Sequence, residues 1–168
     1  MSVQILTDST SDILPEEAEQ KGVRVVPLLV NFGEEAFREN VEITHQEYFR
    51  RLAQAESLPT TSQPTPQDFL AHFEQVRDAG DSLVCVLLAS KLSGTFQSAQ
   101  LAKELSGTYQ SACIAKEQFP EAVIQVVDTR QVPFGLALLV RQAAALRDAG
   151  HTGPEIAEQI GRLAARVR

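Results

Sequence analysis

Short apolar runs closed by polar clusters alternate along this chain with longer stretches of helical spacing. Val3–Leu6 is followed at once by Thr-Asp-Ser-Thr-Ser-Asp, which predicts a buried strand opening into a polar loop. Pro15–Lys21 suits a short helix, with proline at its start and Gly22 at its end. Val23–Phe32 predicts a second strand, and Pro27, which has no amide proton to donate, assigns at least part of it to a sheet edge. Thr44, with Glu47 three places on, opens a helix that reaches about Ala55. The stretch SLPTTSQPTP, residues 57–66, reads as a loop. Thr65 then caps a helix with Pro66 in its first turn, ending near Gly80. Ser82–Ala89 is apolar on both faces, as a central parallel strand should be. Ala122–Asp128 predicts another buried strand, and Gly135–Ala149 a helix closed by Gly150. Thr152 and Pro154 open a last helix, expected to run to the final residue. Strands alternating with helices predict an α/β fold with a mainly parallel sheet flanked by helices.

One block breaks the pattern by occurring twice. Leu92–Glu104 and Leu105–Glu117 differ only at Phe96/Tyr109, Gln100/Cys113 and Leu101/Ile114. The first copy follows directly on the strand ending near Ala89, so its Ser93 and Thr95 are expected at that strand's end. An offset of 13 residues rotates a helix by about 220° at ~100° per residue, so the two copies should not share one continuous apolar face. Gly107 would cost about 1 kcal/mol within a single long helix. The expectation is a break near Ser106–Gly107, with Ser106 capping a second helix, or a bulged helix projecting from the body. The first copy is expected to function and the second to be added length.

Composition changes this picture little. At 168 residues, with 43% hydrophobic and 22% charged positions, the chain suits one globular domain. No apolar run reaches the roughly 18 residues of a membrane span, and the N-terminus lacks the basic and cleavage regions of a signal peptide. Two cysteines make no disulfide framework, and the cytoplasm is the expected compartment. Cys85, within an apolar run, is expected to act as a small core hydrophobe. The net charge of −7 argues against nucleic acid as a partner. That charge is uneven: residues from Arg130 onward carry +3 and residues 1–129 carry −10. The basic end reads as a solvated helix face or as a surface for an acidic partner.

Candidate chemistry collects where ligands bind in open α/β sheets, beyond the carboxyl ends of strands. Thr7, Asp8, Ser9 and Thr10 follow the first strand. Ser90, Ser93, Gly94 and Thr95 follow the strand ending near Ala89. Asp128, Thr129 and Arg130 follow a third. Thr60, Thr61 and Ser62 add three hydroxyls. Ser93-Gly94-Thr95 falls where a helix should begin, and free amides there favour a modest anion such as a carboxylate. The same hydroxyls would equally serve as helix caps and turn residues. No glycine-rich nucleotide motif is present. His45, His72 and His151 are scattered, so no metal site is expected. Asp8 could serve as a phosphotransfer nucleophile, but the second aspartate usual two places on is replaced by Thr10.

Four motifs in this order, TDSTSDI, PTTSQPTP, SKLSGTFQSA and VVDTRQVPFGLALL, resemble the DegV family across nearly the whole chain. The resemblance implies a protein that binds a long-chain fatty acid and presents it to a separate catalytic subunit of a fatty acid kinase. It implies no catalysis, no cofactor and no metal of the chain's own. Carried over by motif, Thr61 and Ser93 would hold the carboxylate. Thr60, Ser62, Gly94 and Thr95 would shape the pocket, and Asp8, Ser9 and Thr10 would brace it. The family usually has two domains, with the acyl chain between them. On this resemblance the chain would correspond to the N-terminal one, with the second domain expected to be absent and the block at 92–104/105–117 doubled. Alternative expectations are a truncated domain that binds lipid poorly or not at all alone, and an aspartate-based hydrolase at Asp8. Apolar surface left uncovered by a missing second domain would favour self-association.

Overall fold

The computed structural model of the chain describes residues 2–88 and 107–166. Within them, strand β1 (Val3–Asp8) leads through a 3-10 turn (Ser9–Ser11) to helix α1 (Pro15–Lys21), then β2 (Val23–Val26), β3 (Leu29–Phe32) and β4 (Glu35–Arg38). Helix α2 (His45–Leu52), strand β5 (Thr60–Ser62), α3 (Pro66–Asp78) and β6 (Ser82–Leu87) follow. After the undescribed residues come α4 (Gly107–Lys116), β7 (Ile124–Asp128), α5 (Pro133–Asp148) and α6 (Gly153–Ala164).

The main sheet has the order β2-β1-β6-β7, and every pairing in it is parallel. Alternation along the buried strands divides the core into two layers. Ile5, Val84, Val86 and Val127 pack with Leu136, Val140, Ile156 and Ile160 of α5 and α6. Leu6, Leu83, Cys85 and Leu87 pack on the other face with Phe69 and Phe73 of α3 and with Ala112 and Ala115 of α4. All six residues of β6 are buried, because helices cover both of its faces. The expected α/β class, with a mainly parallel sheet between helices, is therefore what forms.

Several helix ends follow their sequence signals. Thr44 Oγ1 accepts the Glu47 amide at 3.2 Å, and Asp68 Oδ2 accepts from the Thr65 amide and hydroxyl at 2.8 and 2.7 Å. Gly22 closes α1 in the left-handed region, at φ 55°. Arg147 donates to the carbonyls of Lys21 and Gly22 at 2.6 and 2.7 Å, satisfying acceptors that the helix end leaves open.

Four expectations need correction. The run Val23–Phe32 is not one strand. Pro27 lies between β2, at the edge of the main sheet, and β3, which belongs to a separate antiparallel sheet of order β4-β3-β5. The segment read as the loop 57–66 contributes β5, whose Thr61 pairs with Val30. The last helix stops at Ala164 rather than running to the final residue. Finally, the second copy of the repeat is not simply added length: its residues form α4, with Ala112 and Ala115 fully buried.

Candidate functional site

The strand order sets where a ligand crevice can open. From β1 the chain passes to β2 on one side, then crosses to β6 and β7 on the other. The connections diverge beyond the carboxyl ends of β1 and β6, the switch point where open α/β sheets bind ligands. Asp8 ends β1 at this place, and the amide of Leu88 follows the end of β6.

Asp8 is fully buried, and its carboxylate is enclosed by donors. Oδ1 accepts from the amide of Thr10 at 2.9 Å and from the Thr10 hydroxyl. Oδ2 accepts from the Leu88 amide at 3.5 Å, which ties the ends of β1 and β6 together. Burial pushes the Asp8 pKa above its ordinary value. The Thr10 and Leu88 hydrogen bonds oppose that rise, and the charge of Glu39 adds to it. The beginning of a turn straight after the strand makes this geometry local: Asp8 is the N-cap of Ser9–Ser11.

Ser9 extends the set toward the small sheet. Its hydroxyl donates to Glu39 at 2.7 Å and accepts the Leu28 amide at 2.9 Å. Glu39 in turn donates its amide to the Leu28 carbonyl at 2.9 Å. Thr129 performs a similar service on the other flank, with its hydroxyl on the Leu87 carbonyl at 2.7 Å. Arg130, exposed beyond β7, holds the left-handed conformation at φ 55°, and its amide donates to Asp128 at 3.0 Å. The Ser11 hydroxyl is buried and has no hydrogen-bond partner among the described residues.

Thr60, Thr61 and Ser62 are exposed on β5. Asn31 Nδ2 donates to the Ser62 hydroxyl at 2.9 Å, so that group is already engaged. Thr61 lies directly opposite Val30, and cross-strand partners project to the same face of a sheet. Val30 lines a cavity of about 350 Å3 with Ile43, Tyr48, Phe49, Glu39 and His45. Thr61 thus shares its sheet face with the lining of a partly apolar recess.

The structure joins Asp8, Ser9 and Thr10 to one another and, through Leu28 and Glu39, to the small sheet that carries Thr60–Ser62. Ser93, Gly94 and Thr95 lie outside the described residues, as do Ser90 and Ser106. From the second copy, Thr108 and Ser111 are described, and both are buried. Reading the sequence did not single out Glu39, Leu88 or Asn31. Nothing in local spacing marks them, because each acts on a partner at least 29 residues away. Among the described residues, no group of three His, Cys, Asp or Glu could hold a metal, and no helix is long and apolar enough to cross a membrane.

This fold occurs in known proteins. A family model described as "Uncharacterised protein, DegV family" matches residues 2–105 and 100–168. The chain belongs to the DegV family. A DegV domain-containing protein of Clostridium perfringens is 34% identical over 158 residues, 94% of this chain and 52% of the relative. Among solved structures, a DegV family protein of Thermus thermophilus, described by its fatty acid binding, superposes with a TM-score of 0.80 at 33% identity. That match covers 98% of this chain and 54% of the other. A stearic-acid-binding protein of Eubacterium ventriosum gives a TM-score of 0.79 at 30% identity, over 95% and 52%. The chain spans about half the length of these relatives. The family match in two overlapping pieces mirrors the repeat, since each piece takes in one copy.

Proposed function

We propose that this DegV chain binds a long-chain fatty acid through its carboxylate and presents it to a separate kinase subunit in the cytoplasm. Thr61 and Ser93 hold the head group, with Thr60, Ser62, Gly94 and Thr95 shaping the pocket and Asp8, Ser9 and Thr10 bracing it. The observation that carries the reading is the similarity, at 30% identity or more and TM-scores near 0.8, to solved proteins named for fatty acid binding. The chemistry of the site supports it. Hydroxyls hold a carboxylate by donating to it without activating it. Thr61 is exposed and pairs with Val30, which lines a partly apolar recess, and each methylene buried against apolar surface contributes about 0.8 kcal/mol.

The chain performs no catalysis of its own on this reading. Asp8 is buried, with both carboxylate oxygens accepting hydrogen bonds, which suits a brace rather than a nucleophile. Phosphorylation of the lipid then belongs to the kinase subunit. A second reading rests on length: because the chain covers about half of each relative, the affinity of this half alone is expected to fall well below that of a two-domain protein. Val132, Phe134 and Leu138 at the start of α5 are 51%, 75% and 46% exposed, apolar surface through which a further domain or a second copy could associate.

The test is to strip the purified chain of lipid and titrate it with stearate, following retained ligand by native mass spectrometry. Saturable binding of one stearate, weakened about tenfold or more by Thr61→Ala or Ser93→Ala, is the expected result. No binding by the chain, with binding restored when a relative's second domain is fused to it, selects the second reading. Stearate binding unchanged in both variants overturns the site.

A further inference from the structure

We infer that the groove holding α4 accepts either copy of the repeat, so that the chain can fold in two registers offset by 13 residues. The buried face of α4 consists of Thr108, Ser111, Ala112 and Ala115. Thirteen places earlier the sequence has Thr95, Ser98, Ala99 and Ala102, identical at every one of these positions. The three positions at which the copies differ all avoid that face: Tyr109 and Cys113 are half-buried and Ile114 is 44% exposed. The fully buried contacts against α3, β6 and β7 are therefore the same for either copy, and the copies differ only at half-buried Tyr109 and Cys113 and at exposed Ile114.

Chain connection permits the exchange. With copy two in the groove, residues 88–106 link β6 to α4, and residues 117–123 link α4 to β7. With 94–103 in the groove, the first link shortens to 88–93, a common length for a strand-to-helix connection, and the second lengthens to 104–123. The extra 13 residues move from one link to the other. Closure entropy depends only weakly on length, so it favours neither arrangement strongly.

Phe119 accounts for the register observed. It is 7% exposed, its ring centroid lies 6.2 Å from that of Phe73, and Arg77 stands 5.2 Å above its ring. Its amide donates to the Lys116 carbonyl at 2.9 Å, so this anchor is built onto the end of α4. The position that would follow copy one in the same way is Ser106, which cannot fill the apolar site. Copy two thus predominates, and copy one is the reserve occupant. One consequence rests on the carboxylate reading above: Ser93 holds the head group in the register that places copy one in the groove, so a bound fatty acid draws the chain toward that register.

The experiment uses the full chain without ligand, so failure of the lipid reading leaves its outcome intact. Ala99→Arg, Ala112→Arg and the double variant are compared by thermal melting and by hydrogen exchange resolved to residues 94–103 and 107–116. Ala99→Arg should melt within about 1 °C of the parent, because it alters the reserve copy. Ala112→Arg should cost only a few degrees. Exchange within 107–116 should then quicken at least about tenfold while that within 94–103 slows as much. The double variant should lose far more than the sum, since neither copy can then fill the groove. If Ala112→Arg alone fails to fold, or melts as low as the double variant, the groove accepts one copy and the inference is wrong. Unchanged exchange at 94–103 in Ala112→Arg overturns it equally.

Discussion

The end of β1 and the edge strand β5 both present hydroxyls, yet they differ in what those groups are free to do. At the end of β1, Thr7, Asp8, Ser9 and Ser11 are buried, and Asp8 and Ser9 spend their polar atoms on backbone amides and on Thr10 and Glu39. On β5, Thr60–Ser62 are all exposed, and of these side chains Ser62 is engaged by Asn31. Buried polar groups are costly without partners within the protein, and among the described residues the Ser11 hydroxyl is the exception in this region, while exposed groups exchange water for a ligand at small cost. The first region is built to hold the switch point together, the second to meet something from outside.

The largest effect that could break this contrast is expected at Asp8. Asp8→Ala strands the amides of Thr10 and Leu88 and should lower stability by about 2–3 kcal/mol in urea unfolding at neutral pH. A loss below about 0.5 kcal/mol would mean that the strand ends need no such tie.

A smaller effect should appear in the pH dependence. The folded-state pKa of Asp8 lies above the ordinary aspartate value of 3.8, chiefly through burial. Between those two values the folded chain binds more protons at this group than the unfolded chain, so stability falls as pH rises through the window. Below the unfolded value the contribution is fully present. Glu17, Asp81 and Glu155 shift downward and act in the opposite sense, losing stability as pH falls. The measurement is therefore a difference: the stability of the parent minus that of Asp8→Asn should decline as pH rises from about 4. A flat difference would show that Asp8 titrates normally in the fold.

The smallest effect on stability belongs to Thr61. Its side chain is exposed and its pairing with Val30 uses the backbone, so Thr61→Ala should change unfolding free energy by less than about 0.5 kcal/mol. If it destabilises the chain as much as Asp8→Ala, β5 is structural and the contrast between the regions disappears.

Local signals foretold much of this architecture. Gly22 and Pro15 bracket α1, Thr44 and Thr65 open α2 and α3, and the unbroken apolar run at Ser82–Leu87 marks a strand covered on both faces. These signals survive because propensity, capping and periodicity act over a few residues. The motifs also single out Asp8 and Ser9, which the fold places at the end of β1, and Thr61, which it places on β5. The small sheet was illegible by comparison. Thr60–Ser62 has no strand pattern of its own, and only pairing with Leu29–Asn31, 29 to 33 positions away, makes it β5.

By itself, then, the sequence determined the α/β class, the family and the presence of two near-identical blocks, since each depends on residue type and order along the chain. Tertiary structure decided that Pro27 sends the chain into a second sheet, that Glu39 meets Ser9, and that copy two fills the groove over β6. The physical reason is common to all three. Each outcome turns on a partner distant in sequence, Phe73 for Phe119 as much as Glu39 for Ser9, and such contacts acquire their energy only when the chain has brought both sides together.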